Sequence, residues 1–304
     1  MSDADIVVIG SYNTDVILSV AHLPAAGETC LGLGRDEAAG GKGSNQAVQA
    51  ARCGARTCFV GAIGEDASGA KALEMWARAG IDADHVARLA GRPTGMAVIL
   101  VAADGENCIV VDSGANAHLS PAHTRAAASA IQGARVVLAQ LETPPAATRD
   151  AFEIARAHGV LTALNAAPAP EQVDEDLLGL TDLLFVNEGE AAALTGLTEV
   201  EAAVQALLQR VRLGVVVTLG GAGAILFRRD APPLRQPAIA VDVVDTTGAG
   251  DAFIGAFVAR LAANGRLDEA MRWGITAGAL ACTALGATPS YADGEEIARR
   301  LALP

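Results

Sequence analysis

The chain has 304 residues, 51% of them hydrophobic, so it can bury one large core. Lys and Arg number 22 against 35 Asp and Glu, which gives a net charge of −13. An acidic chain of this kind is a poor candidate for binding nucleic acid or an anionic membrane surface. Its longest apolar stretches, such as 274–287, are too short to span a bilayer.

The cysteines and the N-terminus indicate a cytoplasmic protein. Cysteines number five, an odd count, and no two form a CxxC pair, so neither a disulfide framework nor a zinc site is expected. The opening residues are acidic rather than basic and lead straight into a strand, which is not the pattern of a secretory signal.

The first third of the chain alternates buried and exposed strand patterns. An apolar strand at Ile6–Ile9 is followed by a half-exposed strand at 15–20, and residues 29–38 are polar and glycine-rich. Further elements are expected as follows: helices 43–52 and 68–79, strand 57–61, and a hairpin of strands 96–102 and 107–112. The exposed strands, at about 12–38 and 94–112, do not belong to the buried main sheet, so we expect them to form a small β-sheet lid.

From residue 121 onward, apolar strands alternate with helices. The pattern predicts helix 121–131, strand 135–140, helix 146–158, strands 160–164 and 182–186, helices 188–195 and 199–211, strand 214–218, a meander at 222–244, and helices 249–263 and 267–285. This alternation is typical of a mostly parallel central sheet covered by helices on both faces. We therefore predict a single α/β domain over residues 1–304.

The glycine-rich turn before helix 249–263 carries the strongest chemical signal. Residues 245–251 are Asp-Thr-Thr-Gly-Ala-Gly-Asp. Glycines at 248 and 250 let the backbone turn tightly, and the following helix directs its positive dipole end at the same point. Because Asp251 lies beside this anion hole, the turn suits the transfer of a phosphoryl group to a hydroxyl that Asp251 deprotonates.

A second glycine-rich turn precedes helix 43–52. Residues 40–45, Gly-Gly-Lys-Gly-Ser-Asn, are not a Walker A loop, because a glycine follows the lysine. The turn is either a plain loop-to-helix connection or a binding loop whose Asn45 presents an amide to a polyol. Asn13 and Asp15 follow the first strand, where ligands of open α/β sheets bind, and could hold two hydroxyls; a simple Asx turn is the alternative.

Three more strand ends carry polar residues with two interpretations each. Glu142 could bind a sugar hydroxyl or be a helix-capping acid before Pro144 and Pro145. Asn187 and Glu190 could bind a ligand or form a helix N-cap with an acid in the first turn. Residues 218–223, Thr-Leu-Gly-Gly-Ala-Gly, could cradle phosphates or turn a hairpin.

In their order along the whole chain, these motifs resemble the ribokinase-like (PfkB) family of carbohydrate kinases. The resemblance rests on Gly-Gly-Lys-Gly-x-Asn-Gln-Ala at 40–47, Gly-Ala-Ile-Gly-Glu-Asp at 61–66, Asn187-x-x-Glu190, and Asp-Thr-x-Gly-Ala-Gly-Asp at 245–251. It implies ATP-dependent phosphorylation of the primary hydroxyl of D-ribose to give D-ribose 5-phosphate. The alternatives are deoxyribose, another pentose or hexose, or a nucleoside as substrate, or a sugar- or nucleotide-binding regulator without turnover.

The resemblance also assigns roles to residues. Asp251 is the implied base, and Gly248, Ala249 and Gly250 supply the anion-hole amides. The implied sugar ligands are Asn13, Asp15, Gly41, Lys42, Asn45 and Glu142. The implied nucleotide contacts are Asn187, Thr218, Gly220, Gly223, Gly250 and Ile275. Glu190 is implied to order a water-coordinated Mg²⁺, and the implied K⁺ site is formed by Asp245, Thr247, Ala281, Ala284, Gly286 and Ser290.

The chain departs from the family pattern at three positions. Ile275 and Ala284 replace residues that are often polar or basic, and Asp112 adds a charge to the lid hairpin. The resemblance further implies a homodimer formed through the lid, in which Val111 reaches the partner's sugar site.

Overall fold

The computed structural model describes residues 4–170, 172 and 174–302. Its strands are, in chain order, β1 (Ile6–Ile9), β2 (Asn13–Val20), β3 (Gly32–Gly40), β4 (Thr57–Val60), β5 (Ala62–Gly64), β6 (Ala87–Leu89), β7 (Gly95–Ala102), β8 (Asn107–Asp112), β9 (Val136–Ala139), β10 (Leu161–Asn165), β11 (Leu183–Asn187), β12 (Gly214–Thr218), β13 (Ala224–Arg228) and β14 (Ala231–Gln236).

Helices alternate with these strands. They are α1 (Lys42–Arg52), α2 (Ala67–Arg78), α3 (Pro121–Ala126), α4 (Ala128–Gly133), α5 (Pro145–Ala157), α6 (Glu175–Leu180), α7 (Glu188–Thr195), α8 (Val200–Leu208), α9 (Ala249–Asn264), α10 (Leu267–Ala281) and α11 (Gly294–Leu301). Short 3₁₀ turns lie at Gly114–His118, Gly220–Ala222 and Thr288–Ser290.

The main sheet has eight strands in the order β14-β13-β12-β11-β10-β9-β1-β4. Neighbours from β4 to β12 are parallel, and β13 and β14 add an antiparallel hairpin at one edge. Both faces are covered: Ile6 and Val8 of β1 join the apolar core under α1, α2, α9, α10 and α11, whereas Val7 and Ile9 join the core under α4 to α8. The predicted α/β fold class is confirmed.

A separate four-stranded sheet, in the order β3-β2-β7-β8, forms the lid. Its root is the point where Asn13 of β2 pairs with Gly40 of β3 on one side and with Gly95 of β7 on the other. The hairpin of β7 and β8 is the one predicted from sequence. A two-stranded sheet of β5 and β6 was not predicted.

Several predicted elements end elsewhere in the structure. The helix predicted at 121–131 is two helices, with α3 held to α5 because Thr124 and Arg125 both bond to Asp150. The helix predicted at 267–285 ends at Ala281, since the carbonyl of Cys282 accepts the N–H of Val244 from another segment. The meander predicted at 222–244 is the β13–β14 hairpin followed by irregular chain, and the prediction missed α6 and α11.

No single helix in the described part of the chain is long and apolar enough to cross a membrane; the bent pair of α7 and α8 passes that test only when the two are taken together.

Candidate active site

The carboxyl ends of the parallel strands gather polar side chains at one edge of the main sheet. Asn165, Asn187 and Thr218 are the last residues of β10, β11 and β12, and Gln140 directly follows β9. The N-termini of α1 and α9 lie at the same edge, because Lys42, Gly250 and Asp251 line one cavity with Asn165, Asn187 and Thr218. Ligands of open α/β sheets bind at this edge.

Glycines bring α1 close to both the sheet and α9. A Cβ on Gly43 would lie 2.6 Å from Cα of Gly10, so the first turn of α1 touches the backbone beyond β1. A Cβ on Gly255 of α9 would lie 2.6 Å from the carbonyl oxygen of Gln46. A larger residue at either position would push α1 away, and with it the side chains that reach Asp251.

Asp251 lies in the first turn of α9 and is 7% exposed. Its Oδ2 accepts a hydrogen bond from Asn45 Nδ2 at 3.0 Å, and its Oδ1 accepts one from Gln46 Nε2 at 2.9 Å. Burial raises the pKa of Asp251, while the Lys42 ammonium and the two amide donors oppose that rise. The carboxylate is therefore a base with a raised proton affinity, held in one orientation.

Lys42 is the cation of the site. Burial by itself would lower its pKa, but the carboxylates of Asp251, Glu142 and Glu190 produce a net rise, so the ammonium stays charged. Glu142 Oε2 accepts the backbone N–H of Lys42 at 2.9 Å and the hydroxyl of Ser11. Glu142 thus caps α1, and the alternative that it caps the helix after Pro144 is wrong.

The remaining residues predicted to hold a sugar lie at the lid root. Asn116, 1% exposed, donates to Asn13 Oδ1 at 2.9 Å and is bonded to both the N–H and the carbonyl of Tyr12. Because Asn116 occupies that oxygen, the free end of the Asn13 amide is its NH₂ group. Gly41 has φ of 85°, and a Cβ there would lie 2.7 Å from Cα of Tyr12.

Asp15 stands beside them on β2 as a half-buried acid. Burial, together with the nearby carboxylates of Glu142 and Asp251, raises the pKa of Asp15 to about 7. Asn13 begins a strand and pairs with Gly40, so the alternative of a simple Asx turn is wrong.

Two cavities meet at Thr218 and Gly250. The smaller, about 160 Å³, is lined by Lys42, Asn165, Asn187, Glu190, Thr218, Gly248, Gly250 and Asp251, among others. The larger, about 480 Å³, is mostly apolar and is lined by Thr218, Gly220, Gly223, Val243, Phe253, Ile275 and Cys282, among others. A polar ligand end with charge fits the first cavity and a flat apolar group fits the second.

The residues predicted to contact nucleotide line these cavities while also shaping the backbone. Asn187 and Glu190 form a capping box at α7, with Glu190 N–H to Asn187 Oδ1 at 2.8 Å and Asn187 N–H to Glu190 Oε2 at 2.9 Å. Burial raises the pKa of Glu190. Residues 218–223 turn the hairpin between β12 and β13, and Gly223 has φ of 97°.

The predicted anion hole is a left-handed turn at the start of α9. Gly248 has φ of 74°, its carbonyl accepts the hydroxyl of Tyr291 at 3.0 Å, and the N–H of Ala249 donates to Thr246 at 3.2 Å. Gly250 borders both cavities. The turn thus places the N-terminus of α9 at the junction of the two cavities, beside Asp251.

The residues predicted to hold K⁺ come from two segments that touch. Asp245 Oδ1 accepts from the N–H and hydroxyl of Thr247, and Asp245 Oδ2 accepts the N–H of Gly286 at 2.8 Å. Burial would raise the pKa of Asp245, but these hydrogen bonds lower it overall. Ala281 ends α10, Ala284 is exposed, and the Ser290 hydroxyl donates to Ala287. Side chains alone make no cluster here: the described residues hold no group of three or more His, Cys, Asp or Glu suited to a metal.

Four residues to which the sequence assigned no role take part in the site. Gln46 donates hydrogen bonds to Asp251 and to Asn165. Asn116 donates to Asn13, and the hydroxyl of Tyr291 donates to the carbonyl of Gly248. Gln46 lies inside the motif at 40–47, but its partner Asp251 is 205 positions away, and Asn116 lies 103 positions from Asn13.

A buried carboxylate, a nearby ammonium and a helix N-terminus around one polar cavity are an arrangement suited to a phosphotransferase that acts on a hydroxyl group. The model of the pfkB family of carbohydrate kinases matches residues 3–293. The chain is 40% identical to a ribokinase of Haemophilus influenzae over 95% of both chains, and 33% identical to a deoxyribokinase of Salmonella typhi over 98% of this chain and 99% of that one.

A solved structure described as Arabidopsis thaliana ribokinase complexed with ribose and ATP superposes with a TM-score of 0.93 at 32% identity, covering 99% of both chains. The chain belongs to the pfkB family of carbohydrate kinases, as its motifs predict.

Proposed function

We propose that this protein is an ATP-dependent kinase that phosphorylates the primary hydroxyl of D-ribose to give D-ribose 5-phosphate. The observation that carries the proposal is the Asp251 carboxylate, buried at the start of α9 and sharing a cavity with Lys42. The ribokinase named above, 40% identical over 95% of the chain, supports ribose as the substrate. The superposable ribokinase whose description includes ribose and ATP supports both substrates.

The proposed role of each site residue follows from its charge and its hydrogen-bonding groups. Asp251 accepts the proton of the attacking hydroxyl, because burial raises its affinity for a proton while Lys42 and two amides favour its charged form. The amides of Gly248 and Gly250, at the N-terminus of α9, stabilise the charge on the transferring phosphoryl group, whereas the N–H of Ala249 is bonded to Thr246. Asn13, through its free NH₂, and Asp15 and Glu142, through oxygens, hold the sugar hydroxyls, and Gly41 leaves room for the ligand beside the lid root.

The larger cavity takes the adenine and ribose of ATP. Its apolar lining, with Phe253 and Ile275, suits a flat base, and Thr218, Gly220 and Gly223 border the path to the polar cavity. Asn187 lies on that path, at the rim of the polar cavity. The phosphates then run toward Lys42 and Asp251.

Two cations complete the proposal. When bound with ATP, Mg²⁺ neutralises charge on the phosphates. Glu190 is the carboxylate on the polar cavity that fits this role through water. Asp245, with its pKa lowered, and backbone carbonyls at and after the end of α10 supply the oxygen ligands that suit K⁺.

A second substrate follows from the other relative. The deoxyribokinase of Salmonella typhi is aligned over almost the whole chain, and its named substrate class differs from ribose by one hydroxyl. The further expectations, a cytoplasmic enzyme and a homodimer formed through the lid, are part of the same proposal.

The test is ADP release from ATP over a panel of D-ribose, 2-deoxy-D-ribose, hexoses and nucleosides, with and without K⁺. We expect the highest kcat/KM with D-ribose and faster turnover with K⁺. Asp251→Asn should reduce kcat at least about a hundredfold with nucleotide affinity retained, because a positioned base contributes that much or more.

The matched control is Asp268→Asn, which removes an exposed acid from the first turn of α10 and should leave kcat unchanged. A wild-type turnover in Asp251→Asn would refute the mechanism. A higher kcat/KM with 2-deoxy-D-ribose would make that sugar, rather than D-ribose, the preferred substrate. ATP consumption that no sugar stimulates would refute the proposed kinase activity.

A further inference from the structure

Three buried amide side chains lie behind the Asp251 carboxylate. Gln46 of α1 is fully buried, and Gln140 and Asn165, 1% and 6% exposed, come from the ends of β9 and β10. Gln46 Nε2 donates to Asp251 Oδ1 at 2.9 Å and to Asn165 Oδ1 at 3.0 Å. Gln140 Nε2 donates to Gln46 Oε1 at 2.6 Å.

These neighbours leave the Gln46 amide a single orientation. If the amide turned over, its NH₂ would face the NH₂ of Gln140, and its oxygen would face the carboxylate of Asp251. Gln140 packs against Gly10, where an added Cβ would lie 2.5 Å from Gln140 Oε1. The N–H of Gln46 is therefore held toward Asp251 by two strand ends.

We propose, on the basis of the function given above, that Gln46 is a positioning residue whose fixed N–H favours the charged form of the Asp251 carboxylate. Asn45 is also bonded to Asp251, but it is one of the residues expected to bind the sugar. Gln46 borders neither cavity, so its hydrogen bond stays with the base whether or not the substrate is present.

Several charged groups around Asp251 act on its pKa together with the hydrogen bond from Gln46. Lys42 from α1 is the nearby cation, while Glu142 after β9, Asp15 on β2 and Glu190 on α7 are acids coupled to Asp251. The phenol of Tyr291, its own pKa raised by burial, completes the set. Burial raises the pKa of Asp251, and the Gln46 hydrogen bond lowers it, so losing that bond favours the protonated carboxyl group, which cannot act as a base.

The test is the pH profile of kcat in Gln46→Met, which keeps the length of the side chain but removes the donor. Losing one hydrogen bond to a charged group should move the acidic limb up by about one pH unit, so kcat on that limb falls about tenfold. At high pH kcat should change little. Gln46→Glu, which sets a second carboxyl against Asp251, should move the limb further.

The matched control is Gln49→Met, one turn along α1. Gln49 is equally buried, but its Nε2 donates to the carbonyl of Ala292 at 2.9 Å and not to the site. Its profile should keep the wild-type acidic limb. An equal loss of kcat at every pH in Gln46→Met, or loss of folding in both Gln46 variants by circular dichroism, would make Gln46 merely structural and overturn the assignment.

A wild-type chain that turns over no sugar would instead refute the proposed function. The assignment is then decided by carbon-13 NMR of labelled aspartate: the Asp251 carboxyl should titrate at higher pH in Gln46→Met than in the wild type. An unshifted titration would overturn it.

Discussion

The carboxylate of Asp15 stands where its charge is disfavoured. A Cβ on Gly40 would lie 2.2 Å from Asp15 Oδ2, so the carboxylate packs against that glycine, and Glu142 and Asp251 are nearby acids. Burial and these acids raise its pKa from 3.8 to about 7. Between those two pH values the folded chain holds a proton that the unfolded chain has lost, so the contribution of Asp15 to stability falls as the pH rises.

Asp15→Asn should therefore raise the melting temperature by an amount that depends on pH. The gain should vanish below the unfolded pKa of 3.8, grow as the pH rises to about 7, and stay constant above that. Melting curves across this range measure it, and Asp36→Asn, an exposed acid on β3, is the control. A gain that does not change with pH, or one matched by Asp36→Asn, would contradict the prediction. The same variant should raise the KM for the sugar.

Sequence motifs predicted the charged residues of the site but not the amide side chains that hydrogen-bond to the site residues and orient them. Asp251, Lys42 and Glu142 belong to strand ends and helix starts whose chemistry a local pattern reveals. Gln46 could not be assigned in the same way, because its partner Asp251 is 205 positions away and is reached only once α1 packs on Gly255. Asn116 is similar, since it acts on Asn13, 103 positions earlier.

At the scale of elements, the two glycines that begin α9 differ in their surroundings. Gly248 has φ of 74°, and a Cβ there would lie 2.6 Å from both Ala287 Cβ and Tyr291 Oη. Gly250 is helical, and apart from its own turn of helix no atom of the described residues would lie within 4 Å of a Cβ there. One glycine is required by the turn, whereas the other leaves space that we assign to the ligand.

Alanine at these two positions should change stability in opposite directions. Gly248→Ala should lower the melting temperature by several degrees, because a left-handed alanine costs about 1–2 kcal/mol before the overlaps are counted. Gly250→Ala should leave it equal or higher, since alanine favours a helix by about 0.5–1 kcal/mol over glycine. Calorimetry on both variants measures this, and a loss at Gly250 as large as that at Gly248 would be inconsistent with the turn described.

The pattern of the elements was predicted better than their ends. Strands Ile6–Ile9 and Gly214–Thr218 and helix Glu188–Thr195 have the expected bounds, because buried periodicity determines them. Helix α6 is too short to show a period. Helix α11 carried a local signal that was missed, since Asp293 caps it by accepting the N–H of Glu296. The break between α3 and α4 depends on Asp150, which local sequence does not reveal.

At the scale of the whole molecule, one face of the lid sheet carries a partly exposed row of apolar side chains. Strand pairing aligns Ile17, Ile99 and Ile109 in a row across β2, β7 and β8. Alternation along the strands puts this row on the face that also carries Asp15 and Val111, and Val110 on the opposite face. Ile109 and Val111 are 53% and 55% exposed. An apolar row of this kind, next to the acid expected to bind sugar, suits burial against the same face of a second copy.

Ile109→Lys should therefore convert a dimer into a monomer, because a lysine in the middle of that row would bury a charge without a partner. The same change on the other face, Val110→Lys, is the matched control, since Val110 is also exposed, at 66%, and neighbours Ile109 in sequence. Light scattering at micromolar concentration should give twice the chain mass for the wild type and for Val110→Lys, and the chain mass for Ile109→Lys. If Val111 closes the partner's sugar site, the monomeric variant also binds sugar more weakly. A monomeric wild type at that concentration, or dissociation by Val110→Lys alone, would rule out this face as the dimer interface.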